Sequence, residues 1–153
     1  MFFDFDRVEY YSLNKSQEEE MDKSHSKGID NTIEDKIFYD DYPEKLSDVI
    51  FYKAINSGGF SKFELSQKDT AYLRNDIFIE KSSSKMFEYV KACAPEYRDV
   101  LVFKKNNKIS GIVKICLSCG QFYLISSKKE INTEDFGTEK EYESLAKLFN
   151  TYK

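Results

Sequence analysis

The alternation of apolar and polar side chains divides this chain into stretches of period two and stretches of helical period, and the strongest pattern lies between residues 99 and 126. Val100 to Phe103 is apolar on both phases, as expected of a central strand covered on both faces. Ile109, Gly111, Val113 and Ile115 then alternate with Ser110 and Lys114, which reads as a half-solvated strand, and Phe122 to Ile125 supplies a third run. Lys105–Asn106–Asn107–Lys108 joins the first two runs. Asn tolerates positive φ better than most residues, so a tight hairpin is expected there. The second bend falls on Cys116–Leu117–Ser118–Cys119–Gly120. Residues 99–126 therefore read as a three-strand antiparallel meander.

Elsewhere the pattern is more broken. Phe3 and Phe5 share one phase, and Val8 and Tyr10 the other, which predicts one strand bulged near Asp6–Arg7 or two short strands. Ile33, Ile37 and Phe38 suggest a short strand over Thr32–Tyr39. Asp41 and Glu44 fit a capping box with Pro43 in the first turn. Leu46, Val49, Ile50 and Ala54 continue at helical spacing, and Ser57–Gly58–Gly59 closes that helix. Phe60 to Leu65 reads as extended, Ser66 with Asp69 as a short helix start, and Ile77–Phe78–Ile79 as a short strand. Ser82 to Ala94 predicts a helix carrying Met86, Phe87, Val90, Cys93 and Ala94 on one face, stopped by Pro95. Thr138 and Glu141 form a capping box before a stripe of Tyr142, Leu145, Ala146, Phe149 and Tyr152. The sum is an α+β fold: a mainly antiparallel sheet flanked by helices near 43–57, 82–94 and 138–151.

One stretch changes character. Residues 14–31 hold Met21 and Ile29 as their only large apolar side chains, too few to offset ordering, so a mobile loop or a solvated helix is expected inside the domain.

Composition narrows the class. The 153 residues fit a single domain large enough for a core without disulfides. Apolar residues make up 41% and aromatics 16%, which favours folding over disorder. The net charge of −4 predicts a mildly acidic surface. Arginine, the residue best suited to track phosphates, occurs only at Arg7, Arg74 and Arg98, so nucleic acid is not expected as a partner. No apolar window approaches membrane-spanning length, and the N-terminal Phe2–Phe3–Asp4–Phe5–Asp6 has acids where a signal peptide carries lysines. Three cysteines, an odd number, suit a reducing compartment better than a disulfide framework, which makes the cytoplasm the expected location. Abundant Lys, Asn, Ile, Tyr and Phe beside few Arg and Pro fit an A+T-rich, bacterial genome.

Candidate chemistry concentrates at one bend. Two thiolates three positions apart, followed by Gly120, have the shape of a metal knuckle, because the glycine lets backbone amides approach the sulfurs. Ile115–Cys116–Leu117–Ser118–Cys119–Gly120–Gln121 resembles half of a rubredoxin- or zinc-ribbon-type site. Cys116 and Cys119 are thus candidate metal ligands, with zinc as the implied ion, although the second Cys-x-x-Cys of such sites is missing. Cys93, His25 or the pair of a second chain in a homodimer would have to complete the set. A redox pair is the other functional reading, but the strand-to-strand setting lacks the helix N-terminus that lowers a thiol pKa in thioredoxin-like folds. A β-turn whose cysteines pack beneath it is the plain structural reading. His25 reads as a solvated loop residue, Asp41 as a cap, Glu18–Glu19–Glu20 as a solvated run, Gly58–Gly59 as a helix end and Ser82–Ser83–Ser84 as amide caps.

No catalytic set emerges. Small size, mild acidity and abundant Tyr and Phe point to a non-enzymatic domain that binds another protein, in the manner of small immunity- or antitoxin-like inhibitors. The alternative is the thiol site, metal or redox. A carboxylate hydrolase would require a pocket gathering at least two acids.

Overall fold

The meander forms where the alternation places it. In a computed structural model that describes residues 2–28, 32–81 and 93–153, strands β3 (Asp99–Lys105), β4 (Lys108–Cys116) and β5 (Gln121–Ser126) pair antiparallel in succession. Asn106 and Asn107, at φ 49° and 62°, make the hairpin between the first two. β1 (Arg7–Leu13) pairs antiparallel with β3, and β2 (Phe60–Glu64) pairs with β1, which gives the order β2-β1-β3-β4-β5. β3, expected as a central strand, is the middle one of the five.

Helices cover both faces, so the strands alternate between two cores. Val8, Tyr10, Leu101, Phe103, Val113 and Ile115 face Leu145 and Phe149 of helix α5 (Glu139–Asn150). Tyr11, Leu13, Val100, Val102 and Ile112 face Met21, Ile37, Phe38, Phe51 and Ile55 of α1 (Lys15–Ser26), α2 (Ile33–Tyr39) and α3 (Val49–Ile55). Burying each such side chain contributes roughly 1.5–3 kcal/mol, which makes the two cores the main source of stability. α4 (Gln67–Tyr72) runs into a π-helical turn, Leu73–Ile77, which adds Leu73 and Ile77 to the first core.

The α5 capping box forms as expected, with Glu141 reaching back to Thr138. So does the α4 start, where Ser66 accepts from the Asp69 amide. Other expectations need correction. Thr32–Tyr39 is a helix, because Thr32 and Asp35 close a capping box and Ile33 and Ile37 then share a face at spacing four. The next helix starts at Val49 rather than near Pro43, because Asp48, not Asp41, accepts the Phe51 amide. Tyr52 supports that entry by donating to the Leu46 carbonyl at 2.7 Å. Ile77–Phe78–Ile79 is not a strand: Leu73 and Ile77 sit one turn apart, and the Phe78 amide donates to the Leu73 carbonyl. The helix expected over 82–94 lies, up to residue 92, outside the described residues.

The phase change between Phe5 and Val8 has a simple cause. β1 begins only at Arg7, and the irregular segment before it folds Phe3 and Phe5 onto the same core as Val8 and Tyr10. Phe3 meets Phe103 edge-on at 4.7 Å and occupies the space above Gly111, the β4 residue opposite Phe103. Within 14–31, α1 lies against the second core through Met21, and Glu18 accepts a 2.8 Å bond from Arg98, whose guanidinium also covers the Phe38 ring.

Candidate functional site

On β4, Ile112, Lys114 and Cys116 point to the side of the sheet covered by α1–α3, and the last two lie beyond the end of α2. Cross-strand register sets Tyr123 of β5 directly beside Lys114, and Tyr97, just before β3, packs with Cys116 and Cys119. The strands therefore bring a lysine, two tyrosines and two cysteines to one corner of the sheet.

Lys114 holds that corner together. Read from sequence as the polar phase of a half-solvated strand, it is instead fully buried. Its Nζ donates to the Ile37 carbonyl at 2.8 Å and to the Asp40 carbonyl, both near the C-terminus of α2, where helix carbonyls lack intrahelical partners. Tyr97 and Tyr123 present ring faces to it at 4.4 and 5.3 Å. Burial pushes the ammonium down to about 7, while Asp41 and Asp40 pull the other way. A neutral amine has two N–H donors, one for each carbonyl. Tyr123 extends the clasp by donating to the Pro43 carbonyl at 2.8 Å. Burial, and then the Asp41 charge, raise both tyrosines above the usual phenol range.

The cysteines sit on the far side of Tyr97. The bend expected around Gly120 is present: β4 ends at Cys116, β5 starts at Gln121, and Gly120 takes φ 60° between them. Cys119 is bonded to Cys93 across 26 residues, and Cys116 is a buried free thiol. Both sulfurs address the same short stretch. Cys119 Sγ lies 3.5 Å from the Ala94 carbonyl, and Cys116 Sγ accepts the Glu96 amide at 3.3 Å. Gln121 adds a 2.9 Å bond to the Cys93 carbonyl. A thiolate pair at Cys116 and Cys119, as a metal would need, exists only once that disulfide is reduced. Among the described residues no group of three or more His, Cys, Asp or Glu is placed to hold a metal ion. His25 stacks on Tyr39 at 5.2 Å.

Two features here escaped the sequence. The Cys93–Cys119 bond joins residues whose proximity arises only from the docking of 93–97 onto the β4–β5 bend. Lys114 carried a usable signal, since a single lysine between Val113 and Ile115 in an otherwise apolar run is as compatible with a buried amine as with an exposed one.

A second charged cluster lies at the opposite end of the same face. Glu9 accepts from Lys104 at 2.6 Å, Tyr11 at 2.9 Å, Lys62 at 3.1 Å and Arg7 at 3.3 Å. Burial alone would raise its carboxyl, but these donors hold it at about 2. With donors from three strands meeting on one carboxylate, the arrangement joins β1, β2 and β3.

The loop between α2 and α3 forms the outer wall of the site. Asp40, Asp41 and Glu44 are exposed along it, and an open depression lined by Lys36, Tyr42, Glu44, Lys45, Ser47 and Asp48 lies beside them. At its end Val49 and Ile50 are 76% and 60% exposed. Among the described residues no helix is long and apolar enough to cross a membrane. No protein-family model, curated protein or solved structure matches this chain.

Proposed function

We propose that this chain is a non-enzymatic binding domain that docks on a basic protein surface through the 40–50 loop, in the manner of an immunity- or antitoxin-like inhibitor. The observation that carries this reading is the adjacent exposure of Val49 and Ile50 at the start of α3. Solvent-facing β-branched side chains on consecutive positions raise the free energy of the isolated protein, and covering them would recover it. Asp40, Asp41 and Glu44 supply the charge complementarity that would steer a cationic partner. The clasp of Lys114 and Tyr123 under the loop favours the same reading, since a pre-ordered surface loses less entropy on binding.

Affinity capture from a lysate of the source organism, with Val49→Asp/Ile50→Asp as the control bait, tests it. The wild-type chain should retain a stoichiometric basic partner that the variant loses, with affinity falling by at least about tenfold, or about 1.4 kcal/mol. Equal capture by both baits, or no stoichiometric partner, would sink the reading.

The thiol site stands as a second reading, favoured by a specific observation: Cys116 sits in one cluster with the disulfide-bonded Cys119. Zinc at Cys116 and Cys119 would belong to the reduced protein, and elemental analysis of reduced, untagged protein tests for it. Absence of bound zinc leaves only the redox form of this reading.

A further inference from the structure

We propose that the three cysteines form an internal thiol–disulfide relay, in which Cys116 exchanges the Cys93–Cys119 bond for a Cys116–Cys119 bond and releases the Cys93 thiol at the surface. The proposal deepens the redox form of the thiol reading and rests on it; it is independent of the docking loop.

Geometry supplies three supports. Cys116 and Cys119 occupy the two ends of the bend, one closing β4 and the other just before Gly120, and both pack against Tyr97. Their sulfurs face the same segment, with Cys116 at the Glu96 amide and Cys119 at Cys93 and the Ala94 carbonyl. Their exposures differ in the useful direction: Cys116 is sealed at 0% and Cys119 is 8% exposed, whereas Cys93 is open to solvent. The Glu96 N–H donates to Cys116 Sγ at 3.3 Å and holds that sulfur against the segment that carries Cys93. The Ser118 hydroxyl, 3.4 Å from the same sulfur, is a second polar neighbour.

The exchange needs no external oxidant. Cys116 loses its proton to water, and its thiolate attacks Cys119 Sγ, with Cys93 Sγ as the leaving group. A Cys116–Cys119 bond forms, the Cys93–Cys119 bond breaks, and the electron pair leaves on Cys93, which then takes a proton from water. One disulfide and one thiol are present before and after. The exposed Cys93 thiol is then the group that meets an incoming disulfide, the substrate class being a disulfide-bonded protein or a small organic disulfide.

The test uses the full chain, purified oxidised, held at mildly alkaline pH, labelled with iodoacetamide and mapped by non-reducing peptide mass spectrometry. Wild-type protein should show both pairings and label on Cys93, and Cys116→Ser should lose the Cys93 label. Cys93→Ser, oxidised with glutathione disulfide, should form the Cys116–Cys119 bond, which keeps the test decisive if Cys116→Ser folds poorly. Finding only Cys93–Cys119 in the wild type, with Cys116–Cys119 absent from Cys93→Ser, overturns the relay and leaves a structural disulfide. Finding no disulfide in any of the proteins overturns the redox reading as well.

Discussion

At the scale of single residues, Lys114 is the position whose environment departs furthest from its sequence pattern. Unfolded, it regains an ordinary lysine pKa, so between pH 7 and about 10 the unfolded chain holds one proton more at this site than the folded one. The stability this residue contributes therefore rises with pH across that window, by up to about 1.4 kcal/mol per unit, and is least below it, where the charged form must be buried. Urea melts of wild type and Lys114→Met at about pH 6 and about pH 9 should show the wild type gaining on the variant at the higher pH. Identical pH dependence would refute the buried amine. Glu9 runs the other way. Its carboxyl is held at about 2 by Lys104, Lys62 and Tyr11 against the effect of burial, so its contribution is complete above pH 4.5 and is lost as pH falls towards 2. Glu9→Gln should cost about 2–3 kcal/mol near neutrality and flatten the acid limb of a stability–pH curve. Gly111 shows a steric limit instead. A Cβ there would lie 2.7 Å from the Phe3 ring, and that ring is already packed against Phe5 and Phe103. Gly111→Ala should lose about 1–3 kcal/mol in chemical denaturation. Sequence alternation put Gly111 on a strand but had no means of showing the aromatic above it.

At the scale of elements, what was legible followed from local chemistry. The Asn106–Asn107 hairpin, the Ser66 and Thr138 caps and the β3–β4–β5 succession each depend on residues within a few positions, so their signals survive in one dimension. The misread elements were those with two self-consistent local patterns. Thr32–Tyr39 offers β-branched and aromatic residues suited to a strand together with a Thr32–Asp35 cap, and the cap prevails because it satisfies helix amides. Asp41 and Glu44 fit a capping box as well as Asp48 fits an N-cap; only the packing of Phe51 and Ile55 selects the later start. The helix at 15–26 is secured by one buried methionine and by Arg98, whose guanidinium meets Glu18 and Glu96. Arg98→Ala should accelerate amide exchange over 15–26 while leaving β3 and β4 protected, a difference hydrogen-exchange mass spectrometry resolves.

At the scale of the whole molecule, the α+β class and the mainly antiparallel sheet were readable, because period two and helical period alternate along the chain. Strand order was not, since the β1–β3 pairing and the Cys93–Cys119 bond are decided by contacts distant in sequence. The candidate bend lies where the sequence placed it, while the bond from Cys119 to Cys93 had no signal in one dimension. Closing a 26-residue loop, the disulfide should contribute about 2–4 kcal/mol. Thermal melts with and without dithiothreitol should show a lower Tm in reductant for the wild type and no difference for Cys119→Ser. A wild-type Tm insensitive to reductant would remove the bond from the folded protein.

The placement of β1 also bears on synthesis at the ribosome. Arg7 to Ser12 pair with Asp99 to Lys104, so this strand waits for its central neighbour while about ninety further residues are translated. Until then only β2 can shield one of its edges, and the other presents unpaired amides and carbonyls. The nascent chain thus carries an open template until β3 emerges, a natural point for chaperones to engage it.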